Sequence, residues 1–171
     1  IAAGCMTATK HDDPFITGYR DHGLALSKGT TPNACMAELY GKATGCAKGK
    51  GGSMHFFDVK NRFFGGHGIV GAQIGTGAGL AFAEQYRDTD NVVLSYFGDG
   101  AARQGMLHET FNLAMLWKLP VVFICENLKS EVLKEEGSGI LQSLGFHVKI
   151  LQGEILEQQE FGIISCTPIL E

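Results

Sequence analysis

The apolar residues of the chain are grouped in short runs separated by glycine and charged residues. Residues 91–97 (NVVLSYF) and 120–125 (PVVFIC) are rich in β-branched and aromatic side chains, which is typical of buried strands. Between them, residues 101–118 carry apolar side chains at helical spacing and predict a long helix. A strand, a helix and a second strand in such close succession predict a βαβ unit, so the two strands should be parallel.

The rest of the chain gives weaker signals. Thr31 and Pro32 favour a helix start, and Gly41 favours its end. Gly71, Gly75 and Gly79 recur every four residues, so they predict a helix face that another helix, often from a second subunit, approaches closely. The remaining segments predict helices at 1–9, 69–86 and 129–136, strands at 16–18, 145–151 and 161–166, and a glycine- and lysine-rich loop at 41–68.

Composition narrows the class of protein. The chain has 171 residues, 44% of them hydrophobic, so it can form a core and is not a disordered tail. The net charge is −4 and no basic stripe is visible, which argues against nucleic-acid binding. No apolar run has the length of a membrane span or a signal peptide, so we expect no membrane association. The five cysteines include no C-x-x-C and predict reduced thiols.

Glycine is enriched, with 24 residues, most of them between Gly18 and Gly100. Such enrichment indicates either many tight turns or close approach of the backbone to a ligand. The strongest ligand signal is Asp99, which lies between Gly98 and Gly100 after one predicted strand, while Asn127 follows the next. Carboxylate and amide oxygens suit Mg²⁺ with a phosphate, at the sheet edge where such ligands bind. The alternative is an ordinary turn in which Asp99 caps the following helix.

Four segments in the same order resemble one family. They are YRDHG (19–23), ELYGKATGCAKGKGGSMHFF (38–57), GGHGIVGAQIGTGAGLAFA (65–83), and GDGAARQG followed by HETFNLAMLWKLPVVFICEN (98–127). The chain is similar over residues 1–127 to the α subunit of the thiamine-diphosphate-dependent decarboxylating component of 2-oxo-acid dehydrogenase complexes, most closely the pyruvate dehydrogenase group.

The resemblance implies a fold and a reaction. We expect an α/β fold with a central parallel sheet flanked by helices, incomplete relative to the family, with a cofactor-binding core at 1–127 and a divergent tail at 128–171. The implied reaction is oxidative decarboxylation of pyruvate, with acetyl transfer to a lipoyl group. The implied partners are a β subunit that supplies the activating glutamate, a lipoyl acyltransferase component and a small 2-oxo acid. The implied location is a bacterial cytoplasm or a mitochondrial matrix.

The resemblance also assigns roles to residues. Asp99 would ligate Mg²⁺ together with Asn127, and Tyr19 and Arg20 would contact the diphosphate. His67 is the candidate acid or base; His22 and His55 are weaker candidates within matched motifs. The full set of implied cofactor-binding residues is Tyr19, Arg20, Gly68, Val70, Gly98, Asp99, Gly100, Ala101 and Asn127.

Three departures from the family pattern leave alternatives open. The upstream Gly-Gln-Glu-Ala helix start and its preceding histidine are missing, and residues 128–171 do not match. The family's second Asn after the strand is replaced by Leu128, which cannot bind Mg²⁺; Asn127 takes that role only if the loop shifts by one residue. A truncated or frameshifted, catalytically incompetent α-subunit fragment is therefore an alternative. Acetoin and branched-chain 2-oxo-acid dehydrogenases share the motifs, and a generic nucleotide-binding module is the weakest option.

Overall fold

The fold places four parallel strands between two helical layers. The computed structural model describes residues 2–127, 147–151 and 160–165. The helices are α1 (Ala2–Ala8), α2 (His22–Ser27), α3 (Pro32–Leu39), α4 (Ala72–Tyr86) and α5 (Gly105–Leu116). The strands are β1 (Phe15–Gly18), β2 (Phe63–His67), β3 (Val93–Gly98), β4 (Val121–Asn127), β5 (His147–Leu151) and β6 (Glu160–Ser165).

The strands form one sheet in the order β2–β1–β3–β4–β6–β5. β1 pairs in parallel with β2 and β3, and β3 pairs in parallel with β4 from Val93 opposite Val121 to Gly98 opposite Glu126. This confirms the expected central parallel sheet and the βαβ unit. β6 pairs antiparallel with both β4 and β5.

Alternation along the strands divides the core between the two faces of the sheet. In β4, Val121, Phe123 and Cys125 face the cluster that contains α4 and α5, whereas Val122 and Ile124 face the opposite cluster. The opposite cluster packs against α2 and α3. A strand buried on both faces reads as a continuous apolar run, which is why β3 and β4 were predictable from sequence.

The helix predicted at 69–86 begins only at Ala72. Gly71 precedes it with a φ of +89°, a left-handed conformation that favours glycine. A Cβ on Gly75 would lie 2.9 Å from the Met106 sulfur, so this glycine lets α5 of the same chain approach. Gly79 faces open space, and Gly77 is the residue that seats α4 on β3, against Ser95. The predicted close helix contact is thus made within the chain at Gly75.

The segment predicted as loop at 41–68 contains β2, which sequence reasoning missed. β2 has the sequence FFGGH, and its two glycines weaken any strand signal. The remaining loop is organised by the buried Glu38 carboxylate, which accepts hydrogen bonds from the backbone N–H groups of four residues. These are Ala47 and Gly49 at 2.8 Å, Gly51 at 2.6 Å and Gly52 at 3.2 Å.

Other boundaries follow the sequence closely. The Thr31 side chain accepts a hydrogen bond from the Ala34 N–H at 3.2 Å and caps α3, as expected. The predicted short strand near 16–18 is β1, and the strands expected near 145–151 and 161–166 are β5 and β6. The helix predicted at 129–136 lies outside the described residues. In the described part of the chain, none of the helices combines the length and apolar character needed to cross a membrane.

Candidate functional site

A cavity of about 480 Å³ opens where the parallel strands end. In the sheet, β1 and β3 are neighbours. The connection that follows β1 runs toward β2 at one edge of the sheet, whereas the connection that follows β3 runs in the opposite direction toward β4, so the two loops diverge. Such a reversal of strand order leaves a crevice at the carboxyl edge of an open α/β sheet, where ligands bind. The wall consists of Thr17, Gly18, Tyr19, Arg20, His67, Val70, Gln73, Phe97, Gly98, Asp99, Gly100, Ala101 and Glu126.

The structure brings together nearly all residues that the sequence singled out. Every predicted site residue except Gly68 and Asn127 lines the cavity. Gly68 is adjacent in the chain to His67, and a Cβ on it would lie 3.1 Å from the His55 ring. Asn127 ends β4 beside Glu126, but its side chain and Leu128 lie outside the described residues.

Asp99 projects from a tight turn that follows β3. Its backbone N–H donates to the Glu126 carbonyl at 3.3 Å, which ties the turn to the end of β4. Within the described residues, the Asp99 carboxylate has no hydrogen bond and no ion pair. Gly100, not Asp99, precedes the short 3₁₀ turn Ala101–Arg103, so the capping interpretation is not supported. No group among the described residues therefore competes with a ligand for this carboxylate.

The long helix predicted at 101–118 is interrupted. After the 3₁₀ turn Ala101–Arg103, Gln104 is extended (φ −76°, ψ 139°), and α5 begins at Gly105. The backbone next to Gly100 therefore forms a short turn, and α5 starts one turn later than expected. A Cβ at Gly100 would meet nothing within 4 Å, so this glycine leaves open space beside Asp99.

Tyr19 and Arg20 follow β1 at the opposite side of the crevice. Both are exposed, and the guanidinium carbon of Arg20 lies 6.0 Å from the centre of the Tyr19 ring. In the described part of the chain, the guanidinium makes no hydrogen bond or ion pair. Arg20 therefore presents a planar guanidinium to the cavity, which suits bidentate binding of a phosphate.

Asp21 holds the segment that carries Arg20. Its side chain is fully buried, and one carboxylate oxygen accepts the Phe56 N–H at 2.7 Å. A Cβ on Gly66 would overlap this carboxylate, so glycine is required in β2 at that point. Burial raises the pKa of Asp21, and the Phe56 N–H together with the charges of His22 and His55 acts in the opposite direction.

His67 ends β2 and, among the described residues, is the one histidine that lines the cavity. Its Nε2 lies 3.2 Å from the Phe64 carbonyl oxygen. A hydrogen bond between them requires a hydrogen on Nε2, and in that neutral tautomer Nδ1 is an acceptor. His22 and His55 do not line the cavity. His22 Nε2 binds the Ser53 carbonyl at 2.7 Å, and His55 Nδ1 binds the Gly66 carbonyl at 2.9 Å.

Sequence reasoning assigned no role to five residues of the wall: Thr17, Gly18, Gln73, Phe97 and Glu126. Glu126 lies at the strand end that the sequence argument identified, but only its neighbour Asn127 was given a role there. Burial raises the pKa of Glu126, while the positive charge of Arg20 lowers it. Gln73 is a buried amide in an otherwise apolar stretch, and that contrast was its available signal.

The donor set is compatible with a magnesium–diphosphate ligand. Among the described residues, no group of three or more His, Cys, Asp or Glu side chains converges on a metal position. Mg²⁺ bound with phosphates needs only one or two protein carboxylates, because phosphate oxygens and waters complete its octahedron. Among the described residues, the Asp99 carboxylate and the Arg20 guanidinium have no hydrogen-bond or ion-pair partner, and Gly100 leaves open space beside Asp99; these features fit that arrangement.

Comparison with known proteins gives three findings. The family model described as "Dehydrogenase E1 component" matches residues 1–129. The pyruvate dehydrogenase E1 component subunit alpha of Rhizobium meliloti is 58% identical over 127 residues, which cover 74% of this chain and 36% of that protein. Its mitochondrial counterpart from Dictyostelium discoideum is 60% identical over 129 residues, which cover 75% of this chain and 34% of that protein.

A solved structure shares the fold. It is a protein isolated from Mycobacterium smegmatis and described as a thiamin diphosphate-dependent enzyme. The two structures superpose with a TM-score of 0.55 and share 16% sequence identity, and the match covers 92% of this chain and 26% of the other. The chain spans about a third of the length of the curated relatives it matches. Because the family model matches most of the residues, the chain belongs to the dehydrogenase E1 component family.

Proposed function

We propose that the chain binds thiamine diphosphate and Mg²⁺ as part of the α subunit of a pyruvate dehydrogenase decarboxylating component. One observation carries the proposal. Eight of the residues that the motifs single out, which are scattered from position 19 to position 101, line one cavity at the carboxyl edge of the parallel sheet. The names of the relatives support the pyruvate dehydrogenase assignment.

Asp99 is the proposed protein ligand for Mg²⁺. Its carboxylate has no competing partner within the described residues, and the flanking glycines let a diphosphate approach the backbone of the turn. Gly98 and Ala101 would contribute backbone groups beside it. Asn127 is the proposed second metal ligand, at the end of the neighbouring strand.

Tyr19 and Arg20 would hold the diphosphate from the other side of the crevice. The guanidinium offers several N–H donors in a fixed plane. The Asp99 carboxylate, on the other side of the crevice, would repel phosphate oxygens in the absence of a divalent cation. The diphosphate is therefore expected to bind with Mg²⁺ and weakly without it.

Gly68, Val70 and His67 would border the ring end of the cofactor. Gly68 and Val70 offer backbone groups, and His67 offers Nδ1 as a proton acceptor once its Nε2–H binds the Phe64 carbonyl. When bound, thiamine diphosphate would supply a nucleophilic carbon for the carbonyl of a 2-oxo acid and an acceptor for the electron pair left when carbon dioxide departs. The protein's part is to bind, orient and exclude water.

The wider reaction requires partners. A β subunit would supply the glutamate that activates the cofactor, and a lipoyl acyltransferase component would receive the acetyl group. With these partners, the chain would act in a bacterial cytoplasm or a mitochondrial matrix, as its named relatives suggest.

Calorimetric titration tests the proposal. We expect thiamine diphosphate to bind the chain, in the presence of its β subunit, only when Mg²⁺ is added. Asp99→Ala should abolish the Mg²⁺-dependent heat, whereas Asp90→Ala, at an exposed loop position, should leave it unchanged. Absence of binding to the unmodified chain would refute the proposal, and Mg²⁺-dependent binding to Asp99→Ala would refute the metal assignment.

A second candidate is a catalytically incompetent α-subunit fragment that retains the fold and a subunit contact. It is favoured by Leu128 at the position of the family's second Asn, and by the family match ending at residue 129. This candidate predicts association with a β subunit without Mg²⁺-dependent binding of the cofactor. If the complex is active, a panel of pyruvate, acetoin and branched-chain 2-oxo acids distinguishes the remaining alternatives.

A further inference from the structure

We infer that Asp21 is a positioning residue, whose buried carboxylate fixes the segment that carries Arg20 so that the guanidinium can bind a diphosphate in the cavity. This inference rests on the proposed function and adds a residue that acts on the site without touching the ligand. Arg20 lines the cavity, whereas Asp21, its neighbour in the chain, is not part of the wall. The Asp21 side chain is fully buried.

Tyr19 and Arg20 have few contacts that could fix their own position. In the described part of the chain, neither side chain makes a hydrogen bond. The guanidinium carbon of Arg20 lies 6.0 Å from the centre of the Tyr19 ring, but this contact joins two members of the same segment and does not tie that segment to the sheet. The position of Arg20 therefore depends on how the next residue is held.

Asp21 ties the segment to a distant loop. It precedes α2, and its backbone carbonyl accepts the Ala25 N–H at 2.8 Å. An aspartate at this position usually caps the helix with its side chain, but Asp21 makes no such bond. Its Oδ2 instead accepts the N–H of Phe56, 35 residues further along the chain, at 2.7 Å. The carboxylate therefore serves a tertiary contact rather than the local helix.

The same carboxylate packs against β2. A Cβ on Gly66 would overlap Oδ2 of Asp21, so the strand backbone lies directly against the carboxylate. The Gly66 carbonyl is held in turn by His55 Nδ1 at 2.9 Å, and Gly66 pairs with Thr17 of β1. Asp21 is thus fixed between a loop and a strand of the sheet, and the adjacent Arg20 is placed with it.

The second carboxylate oxygen shows that this arrangement is unfavourable for stability alone. Oδ1 of Asp21 is buried and has no hydrogen-bond partner among the described residues. His22 Nε2 lies 3.9 Å from it and binds the Ser53 carbonyl at 2.7 Å instead. A buried acceptor without a partner destabilises the folded chain, and burial accordingly raises the pKa of Asp21. Proteins retain such unsatisfied groups chiefly where function requires them, and this one adjoins a residue of the cavity wall.

A double-mutant cycle tests the inference, with each form of the chain co-expressed with its β subunit and titrated with thiamine diphosphate in the presence of Mg²⁺. Asp21→Ala removes the acceptor, and Asp21→Asn keeps an oxygen for the Phe56 N–H while it removes the charge. Arg20→Ala removes the guanidinium. Asp13→Ala is the matched control, because Asp13 is also buried and accepts two backbone N–H groups, at 2.7 and 2.8 Å, but lies outside the cavity wall.

Asp21→Ala should weaken binding by about tenfold, whereas Asp21→Asn and Asp13→Ala should weaken it by less than about threefold. In a chain that already carries Arg20→Ala, adding Asp21→Ala should weaken binding by less than about twofold, because Asp21 acts through the guanidinium that has been removed. Equal losses with and without Arg20 would overturn the inference and leave the proposed function intact. A tenfold loss in Asp21→Asn would do the same, since it would assign the effect to the charge. Failure of the unmodified chain to bind would overturn both.

A crystal structure of the unmodified complex keeps the inference testable if Asp21→Ala does not fold. We expect the hydrogen bond between Asp21 and the Phe56 N–H to persist while Arg20 contacts the diphosphate. A complex in which Arg20 contacts the diphosphate but Asp21 no longer binds the Phe56 N–H would show that the guanidinium needs no such support and would overturn the inference.

Discussion

Replacing Glu38 by glutamine tests how the loop beside the candidate site is held in place. The Glu38 carboxylate is buried and accepts four backbone hydrogen bonds, two on each oxygen. The loop that it organises leads to Ser53, whose carbonyl binds His22, and to Phe56, whose N–H binds Asp21. These contacts adjoin the segment that carries Tyr19 and Arg20.

The expected cost follows from the geometry. Glutamine retains one oxygen, which can accept two of the four bonds, but its NH₂ group faces the other two N–H donors. Two hydrogen bonds to a charged acceptor are lost, at about 1.5–3 kcal/mol each, so Glu38→Gln should destabilise the chain by about 3–6 kcal/mol. That is a large share of the usual stability of a domain, about 5–15 kcal/mol.

The pH dependence gives a second signature. Burial alone would raise the pKa of Glu38, but the four N–H donors outweigh it and hold the pKa below its ordinary value. A group with a lowered pKa stabilises the fold fully above its unfolded-state pKa of about 4.3, and this stability is lost as pH falls through the lowered folded-state pKa. Glu38→Gln should lack this acid-side loss.

Urea unfolding followed by circular dichroism, at pH 7 and at several pH values below 5, measures both effects. Glu109→Gln, at an exposed position of α5, is the matched control and should change the free energy of unfolding by less than about 0.5 kcal/mol. A cost below about 1 kcal/mol for Glu38→Gln at pH 7 would show that the carboxylate does not organise the loop.

Two further predictions follow from the packing and the site. Gly77→Ala should destabilise the fold because the added Cβ would lie 2.6 Å from the Ser95 hydroxyl oxygen. Gly79 faces open space, so Gly79→Ala should instead stabilise α4 by about 1 kcal/mol. Thermal unfolding of both variants measures the difference, and equal effects would contradict the packing of α4 on β3. Arg20→Lys should weaken Mg²⁺-dependent binding of thiamine diphosphate by about tenfold in calorimetry, because lysine lacks the planar fork; unchanged affinity would exclude Arg20 from the diphosphate site.

Much of the fold was predictable because its central strands are buried on both faces. The runs at 91–97 and 120–125 are β3 and β4, and the cap at Thr31 begins α3. β2 was not predictable, since FFGGH becomes a strand only through its pairing with β1. The interruption of the predicted helix at Gln104 was also not predictable, because the spacing of apolar residues does not distinguish one continuous helix from a 3₁₀ turn followed by a helix.

The candidate site shows a similar division. The strand-end pattern pointed to Asp99, because a carboxylate between two glycines at that place suits a ligand site, whereas Tyr19 and His67 were implied by the family resemblance. Gln73 was missed because the sequence does not show which groups surround an amide side chain within an apolar helix. Its unpaired oxygen exists only because Tyr96 of another element occupies the amide nitrogen.

By itself, the sequence determined the family, the parallel βαβ unit and most of the residues that line the cavity, since these depend on local pattern and on motifs. The tertiary structure decided which strands are neighbours, and therefore that the ends of β1 and β3 diverge to form a crevice. It also decided that α4 packs against α5 at Gly75 and against β3 at Gly77, and that Asp99 has no partner among the described residues. Such contacts join residues far apart in the chain, and no local pattern specifies them.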